Sequence, residues 1–290
     1  MPKYVILSDS CCDLPPEFAK KLQIETVPLI VNFNNVEYKN FLDEHELSLS
    51  RFYRGLRKGY PAFTSAANAD SFINLMTPYL ENGEDILYIG LSCFLSATYQ
   101  NACIAAEELK EKYPERTIIC IDSRCASLGE GLLLFLASKA KDEGKTILEL
   151  KEYVEETIPH ICHWVTVDDL NFLKRGGRIS FATASFGSIL HIKPILCVND
   201  EGGIVSAEKV RGRGSSIKTL FHKVRDNAIN ISEQTVMICH GDCREDAEYL
   251  AGMIMDALKP ADIIISPIGP VVGTHGGPGA LAVFFVGTKR

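Results

Sequence analysis

The sequence DILYI (85–89), followed by LSCFLSATYQNA (91–102), decides how the fold of this chain is interpreted. The first run is apolar and short, which is typical of a buried strand. The second run continues into a segment whose apolar residues, Tyr99, Ala102 and Leu109 among them, recur on one face of a helix. A strand that leads directly into a helix is the basic unit of an α/β sheet.

Three hydroxyl residues, Ser92, Ser96 and Thr98, lie at the junction between this strand and the helix. The first turn of a helix offers free N–H groups and a positive dipole end, which favour an anion. Ser96 or Thr98 is explained equally well as the N-cap of the helix. A second hydroxyl pair, Thr64 and Ser65, is predicted to lie in a loop before another helix, and this repetition favours an anion site.

The first half of the chain alternates strands and helices. Short apolar runs at 4–7, 25–31, 85–89 and 116–121 predict strands, and helical spacing follows or separates them. This order is typical of a doubly wound, mostly parallel sheet. We therefore predict an N-terminal α/β domain over residues 1–160.

The second half follows a different pattern. Apolar runs at 192–198 and 204–210 flank the turn sequence NDEGG (199–203), which predicts a β-hairpin and hence antiparallel strands. Helices and further strands follow. Residues 161–290 are therefore predicted to form a C-terminal α/β domain with a mixed or antiparallel sheet.

Composition excludes several classes of function. The chain has 290 residues, of which 46% are hydrophobic, and a formal net charge of −7. This acidic balance argues against a nucleic-acid partner. A run of about 18 apolar residues is lacking, which argues against stable membrane insertion. The N-terminal residues lack the pattern of a secretory signal, so we expect a cytoplasmic protein with reduced thiols.

The ten cysteines do not form a metal-binding pattern. Cys239, His240 and Cys243 are the closest cluster, and no matching second pair accompanies them. We therefore expect no metal. A Walker A motif is missing, and no GxGxxG follows the first strand, so no nucleotide cofactor is expected.

The segment Gly273–Gly279 (GTHGGPG) places His275 among four glycines. A histidine in such a segment donates to an anion or acts as a base, or it is simply held in a tight turn. Arg178, which follows two glycines, is a second candidate for anion binding. Its structural alternative is an ion pair with Asp168 or Asp169.

A serine hydrolase is the alternative function. Ser96, His275 and Asp9 are the residue types of a catalytic triad. The nucleophile motif GxSxG is not present around Ser96, which lies in LSA. The residues alone leave carboxylate binding and ester hydrolysis both open.

Six motifs together resemble the DegV family of bacterial fatty-acid-binding proteins. They are Ser8-Asp9-Ser10, Phe63-Thr64-Ser65, Leu91-Ser92 with Ser96-Ala97-Thr98-Tyr99-Gln100, Leu173-Lys174-Arg175-Gly176-Gly177-Arg178-Ile179, Ile192-Lys193-Pro194-Ile195 and Gly273-Thr274-His275-Gly276-Gly277-Pro278-Gly279. The resemblance covers nearly the whole chain in order. Each motif alone is weak, and the combination is specific.

The resemblance implies the two-domain EDD fold and a lipid-binding protein rather than an enzyme. A long-chain fatty acid such as palmitate, stearate or oleate would lie between the domains as ligand, without a cofactor. Its carboxylate would be held by Thr64 and Ser96, with Ser65, Ser92, Arg178 and His275 around the head group. A separate, ATP-binding fatty-acid kinase would phosphorylate that carboxylate, which connects the protein to phospholipid metabolism.

Overall fold

The computed structural model describes residues 3–179 and 192–290. The strands, in chain order, are β1 (Tyr4–Asp9), β2 (Ile24–Val27), β3 (Leu29–Phe33), β4 (Val36–Asn40), β5 (Ala62–Ser65), β6 (Asp85–Gly90), β7 (Ile118–Asp122), β8 (Ile161–Thr166), β9 (Ile192–Val198), β10 (Ile204–Arg211), β11 (Thr235–His240), β12 (Asp262–Pro267) and β13 (Leu281–Val286). The α-helices are α1 (Pro16–Lys21), α2 (Leu49–Arg57), α3 (Ala69–Glu81), α4 (Thr98–Lys112), α5 (Leu128–Asp142), α6 (Ile147–Thr157), α7 (Asn171–Arg175), α8 (Arg213–Asn227), α9 (Arg244–Leu258) and α10 (Pro270–Gly276). The chain is an α/β protein, as predicted.

The first sheet is parallel and has the strand order β2-β1-β6-β7. Its central strands β1 and β6 are almost fully buried, which agrees with their continuous apolar sequences. Helices α3 and α4 pack against β6. The carboxyl ends of β1 and β6 therefore lie at one edge, where ligands of such sheets usually bind.

The second sheet is small and antiparallel, with the order β4-β3-β5. The single strand predicted at 25–31 is wrong, because the chain divides at Pro28 into β2 and β3, which belong to different sheets. Proline lacks the N–H that a continuous ladder needs. The predicted loop at Thr64 and Ser65 is also wrong, since both residues lie in β5 and Thr64 pairs with Val31.

The third sheet contains six strands in the order β10-β9-β8-β13-β11-β12. The pair of β11 and β12 is parallel and the other pairs are antiparallel, so the sheet is mixed. The predicted hairpin is confirmed by β9 and β10, in which Val198 pairs with Ile204.

Helix α5 is buried on nearly every side and packs against β6 of the first sheet and β8, β11 and β13 of the third. Gly129 lets the helix approach the third sheet, because a Cβ there would lie 2.0 Å from Nε2 of His163. The strands up to Asp122 belong to the first two sheets and those from Ile161 onward to the third. The division into domains at residue 160 stays a prediction, since α5 joins both parts.

Over residues 3–179 and 192–290, none of the helices combines the length and the apolar character that crossing a bilayer requires.

Candidate functional site

A cavity of about 970 Å³ lies between the first and third sheets, and we call it the central cavity. Its walls are mostly apolar, and they come from distant parts of the chain. The apolar lining includes Leu29, Leu91, Leu95, Val165, Val167, Leu173, Leu196, Val198, Ile204, Ile268, Val271, Val272, Ala280, Ala282 and Phe284.

The strand register shows the direction of the central cavity. His163, Val165 and Val167 line it at alternate positions, and Val165 pairs with Ala282 while His163 pairs with Phe284. Four residues of strand span about 13 Å. The cavity therefore extends along β8 and β13, from Val167 near its polar end to His163 and Phe284 at what we call its distal end.

Four side chains form the polar end of the central cavity: Thr64, Ser96, Arg178 and His275. Thr64 Oγ1 lies 2.9 Å from His275 Nε2, so the hydroxyl and the ring share a hydrogen bond. Phe63 beside Thr64 is 68% exposed, because alternate side chains of β5 point to opposite faces. The pair joins residues that are 211 positions apart in the sequence.

His275 is neutral at pH 7. Burial and, next, the positive charge of Arg178 lower the pKa of His275 to about 4. Its Nδ1 is buried without a hydrogen-bond partner among the described residues. The residue lies in the last turn of α10, so the tight turn considered for it is wrong: the turn comes at Gly277, where φ is 74°.

Arg178 donates from Nε to the carbonyl oxygen of Leu95 at 3.0 Å, and from Nη1 to the carbonyl of Gly176. The ion pair considered with Asp168 is wrong, because Lys193 lies 2.6 Å from that carboxylate. Asp169 accepts from the N–H of Asn171, and no salt bridge in the described part of the chain includes Arg178. Burial lowers the pKa of Arg178.

Ser96 lies just before α4. Its hydroxyl is 2.8 Å from Thr98 Oγ1 and accepts from the Thr98 N–H at 3.2 Å. The helix begins at Thr98 with Ala97 as N-cap and has no side-chain cap, so neither candidate hydroxyl is a regular N-cap. Ser96 and Ser65 both line the central cavity.

Ser92 has a different position from the other predicted head-group residues. It is fully buried and outside the set that lines the central cavity. Its hydroxyl donates to the carbonyl of Gly202 at 3.0 Å and accepts from the Phe94 N–H at 3.2 Å. The side chain thus connects the end of β6 to the β9–β10 hairpin.

The serine-hydrolase triad is not assembled. Asp9 is fully buried and accepts from the N–H groups of Cys11 and Leu91 and from the hydroxyl of Tyr88. His275 bonds to Thr64 rather than to Ser96. Asp9 therefore organises its own loop, and the geometry does not support the hydrolase alternative.

Comparisons with known proteins agree with these features. A family model described as "Uncharacterised protein, DegV family" matches residues 3–288. A DegV domain-containing protein of Clostridium perfringens is 46% identical over 290 residues, covering 100% of this chain and 99% of the relative. The chain belongs to the DegV family.

Solved DegV structures share the fold over their whole length. A DegV family protein from Thermus thermophilus, described as fatty-acid-binding, matches with a TM-score of 0.89 and 26% identity over 98% of this chain and 99% of its own. DegV of Bacillus subtilis, described as a fatty acid binding protein, matches with a TM-score of 0.86 and 26% identity over 99% and 100%.

Two features of this DegV chain were not predicted from its sequence. His163 forms the distal end of the central cavity, and its alternation with Val165 and Val167 is the signal that places it on that wall. Ser127 has a φ of 54°, and its hydroxyl donates to Asp13 at 2.5 Å. Burial raises the pKa of Asp13 to about 7.

Proposed function

We propose that this DegV protein is a cytoplasmic, non-catalytic carrier that binds a long-chain fatty acid in the central cavity. The acyl chain would lie along β8 and β13, and the carboxylate would meet Thr64 and Ser96. The observation that carries the proposal is a mostly apolar cavity with an end that combines a hydroxyl–histidine pair with a cation. The fatty-acid-binding DegV structures support it.

The energetics of the site fit this ligand. Burial of about 14 methylenes contributes about 10 kcal/mol before the costs of association, so the chain supplies most of the affinity. The hydroxyls of Thr64 and Ser96 and the cation of Arg178 offset the desolvation of the carboxylate. A neutral His275 adds a hydrogen bond without a second buried charge.

We further propose that a separate, ATP-binding fatty-acid kinase phosphorylates the bound carboxylate. The polar end contains a cation and hydroxyls and offers no nucleotide motif, which fits a protein that presents a substrate to another protein's ATP site.

Native mass spectrometry of the purified protein tests fatty-acid binding, followed by organic extraction of the ligand. A bound mass that matches palmitate, stearate or oleate is expected. A protein that stays free of ligand after palmitate is added would refute the carrier function. For the second step, we expect acyl phosphate, trapped with hydroxylamine, only when this protein, the kinase and ATP are all present.

A further inference from the structure

Two cysteines meet where helix α4 packs against strand β7, which lies at one end of the first sheet. Alternate residues of a strand face opposite sides of the sheet. Ile118 and Cys120 pack in the core cluster that contains Ala102 of α4. Ile119 and Ile121 pack instead in the core cluster that contains the leucines of α5. The side chain of Cys120 therefore faces α4.

Cys103 of α4 supplies the second sulfur at this contact. It follows the buried Ala102 and lies one helical turn after Tyr99. Its thiol is hydrogen-bonded to the thiol of Cys120 and to the hydroxyl of Tyr99. Both cysteines are free and only partly buried, so solvent reaches the pair. We call Tyr99, Cys103 and Cys120 the dithiol cluster.

The hydrogen bonds of the dithiol cluster decide which sulfur carries a negative charge. The bond from Cys120 lowers the pKa of Cys103 to about 6, against the opposing effect of burial and with help from the Tyr99 hydroxyl. The same bond between the thiols raises the pKa of Cys120. At pH 7 Cys103 is therefore mainly a thiolate and Cys120 a thiol, which are the states that an attacking and a resolving cysteine need.

Cys93 is the natural comparison within the same chain, because it is free and partly buried like Cys103. Its thiol bonds to the carboxylate of Asp122, which raises the pKa of Cys93 to about 11. All ten cysteines lie within the described residues, and only Cys103 has a lowered pKa. An electrophilic oxidant should therefore react with one thiol of this protein before the others.

We propose that the dithiol cluster is an oxidation site for hydroperoxides, at which Cys103 reacts first and Cys120 then closes a reversible disulfide with it. Where a cytosolic protein forms a disulfide, the bond is usually transient and serves catalysis or redox sensing. A thiolate that solvent reaches, next to a second thiol, is the arrangement typical of such sites. The cluster lies outside the set of residues that line the central cavity, so this inference does not depend on fatty-acid binding.

With hydrogen peroxide as the oxidant, the reaction balances. The Cys103 thiolate attacks one peroxide oxygen, so that an S–O bond forms and the O–O bond breaks. Hydroxide leaves and takes a proton from solvent to become water. The Cys120 sulfur then attacks the Cys103 sulfur, an S–S bond forms, the S–O bond breaks, and water leaves with the Cys120 proton. Two thiols are oxidised to a disulfide, and one peroxide is reduced to two waters.

The test maps cysteine oxidation in the folded, fully reduced protein. After treatment with hydrogen peroxide, the remaining thiols are blocked with iodoacetamide, and unreduced peptides are identified by mass spectrometry. We expect a mass loss of about 2 Da and a peptide pair joined through Cys103 and Cys120, both reversed by dithiothreitol. Without peroxide, iodoacetamide at pH 7 should modify Cys103 about tenfold faster than Cys93, or more, with a half-maximal rate near pH 6.

Three serine substitutions assign the roles within the dithiol cluster. Cys120→Ser should stop at the sulfenic acid of Cys103, which dimedone traps, because the resolving thiol is gone. Cys103→Ser should leave Cys120 as a free thiol after peroxide treatment and should not change palmitate affinity. Cys93→Ser is the matched control and should form the disulfide at the wild-type rate. Circular dichroism confirms that each variant is folded.

The outcomes separate this inference from the proposed function. A wild-type protein that forms no disulfide between Cys103 and Cys120 under peroxide refutes the oxidation site. So does a Cys103 that reacts with iodoacetamide no faster than Cys93, or a folded Cys120→Ser variant without a dimedone adduct at Cys103. A protein that forms the disulfide and does not bind palmitate supports the oxidation site and refutes only the proposed function.

Discussion

The two ends of the central cavity each contain a histidine, buried at the distal end and partly buried at the polar end, and the two rings are bonded in different ways. At the distal end, His163 Nδ1 lies 3.0 Å from the carbonyl oxygen of Ile161, and Nε2 faces the N–H of Ala126 at 3.4 Å. At the polar end, His275 Nε2 is bonded to the Thr64 hydroxyl, and Nδ1 has no partner in the described residues.

Both rings are neutral, and the difference lies in their partners. The partners of His163 are backbone groups with fixed positions, so its ring keeps one place in the cavity wall. A hydroxyl can rotate toward an incoming oxygen, so the Thr64–His275 pair can exchange partners with a ligand. Burial alone therefore does not distinguish the two histidines, whereas the kind of hydrogen-bond partner does.

The largest expected effect comes from a substitution that blocks the central cavity between its polar and distal ends. Ala282 lies on the cavity wall between them, and Ala282→Phe would fill the space beside Val165. Displacing about four methylenes costs about 3 kcal/mol, so palmitate affinity should fall about 100-fold or more. Isothermal titration calorimetry measures the loss.

A control adds the same aromatic bulk elsewhere. Ile104→Phe changes a residue of α4 that is 59% exposed and does not line the cavity, and it should leave palmitate binding unchanged. If Ala282→Phe folds normally and binds palmitate like the wild type, the acyl chain does not occupy the central cavity.

The second prediction distinguishes the two histidines by how much each contributes to the stability of the protein and to palmitate binding. His163→Ala leaves a hole in the wall and removes the ring acceptor of the Ala126 N–H, so we expect a loss of about 2–3 kcal/mol in the free energy of unfolding. His275→Ala should cost less stability and weaken palmitate binding about tenfold instead. Urea denaturation and calorimetry measure the two effects.

Equal losses of stability and equal palmitate affinities in the two variants would contradict the different roles of His163 and His275. Thr64→Val is a useful companion to His275→Ala, because it removes only the hydroxyl of the pair and keeps the shape of the side chain. It should reproduce the binding loss and leave the unfolding free energy closer to that of the wild type.

The third prediction concerns pH. Burial and then Arg290 lower the pKa of His163 to about 3, against about 6.5 in the unfolded chain. The unfolded state therefore binds more protons below pH 6.5, and stability falls as the pH decreases through that value. From pH 6.5 to 5.5 this histidine should cost about 1 kcal/mol, and above about pH 7.5 its effect should be negligible.

Asp13 acts in the opposite direction, because its raised pKa of about 7 makes the folded state bind more protons over much of the same range. The wild type is therefore compared with His163→Ala at each pH, so that the contribution of Asp13 cancels. Parallel stability curves for the two proteins between pH 7.5 and 5.5 would contradict the assignment.

The smallest expected effect distinguishes the two serines. Ser92→Ala removes the bond to Gly202 and should lower the free energy of unfolding by about 0.5–1 kcal/mol without changing palmitate affinity. Ser96→Ala should weaken palmitate binding by a few fold. Equal effects of both substitutions on binding would place Ser92 at the head group after all.

Local sequence patterns predicted much of this fold. The hairpin of β9 and β10, the strand β6 and the helix after it depend on alternation, turn residues and helical spacing, which are encoded within short segments. The strand β5 was missed because its pairing with β3 joins residues about 30 positions apart. Short, half-exposed strands depend on such partners rather than on their own composition.

The residues of the site could be named from the sequence, whereas the directions of their side chains could not. The resemblance pointed to Thr64, Ser96, Arg178 and His275, and the structure brings these four together at one end of the central cavity. No sequence pattern shows which way a hydroxyl faces, so Ser92 was grouped with them. The direction of a side chain depends on elements that are distant in the chain.

Helix α5 also determines how the molecule can open. Its leucines Leu128, Leu132, Leu133 and Leu134 belong to a core shared by residues of the first and third sheets, such as Ile6 and Phe284. Exposing even two of these leucines would cost about 3–6 kcal/mol. Separation of the two sheets is therefore a rare state at equilibrium, and a local movement at the polar end that leaves this core packed would cost less.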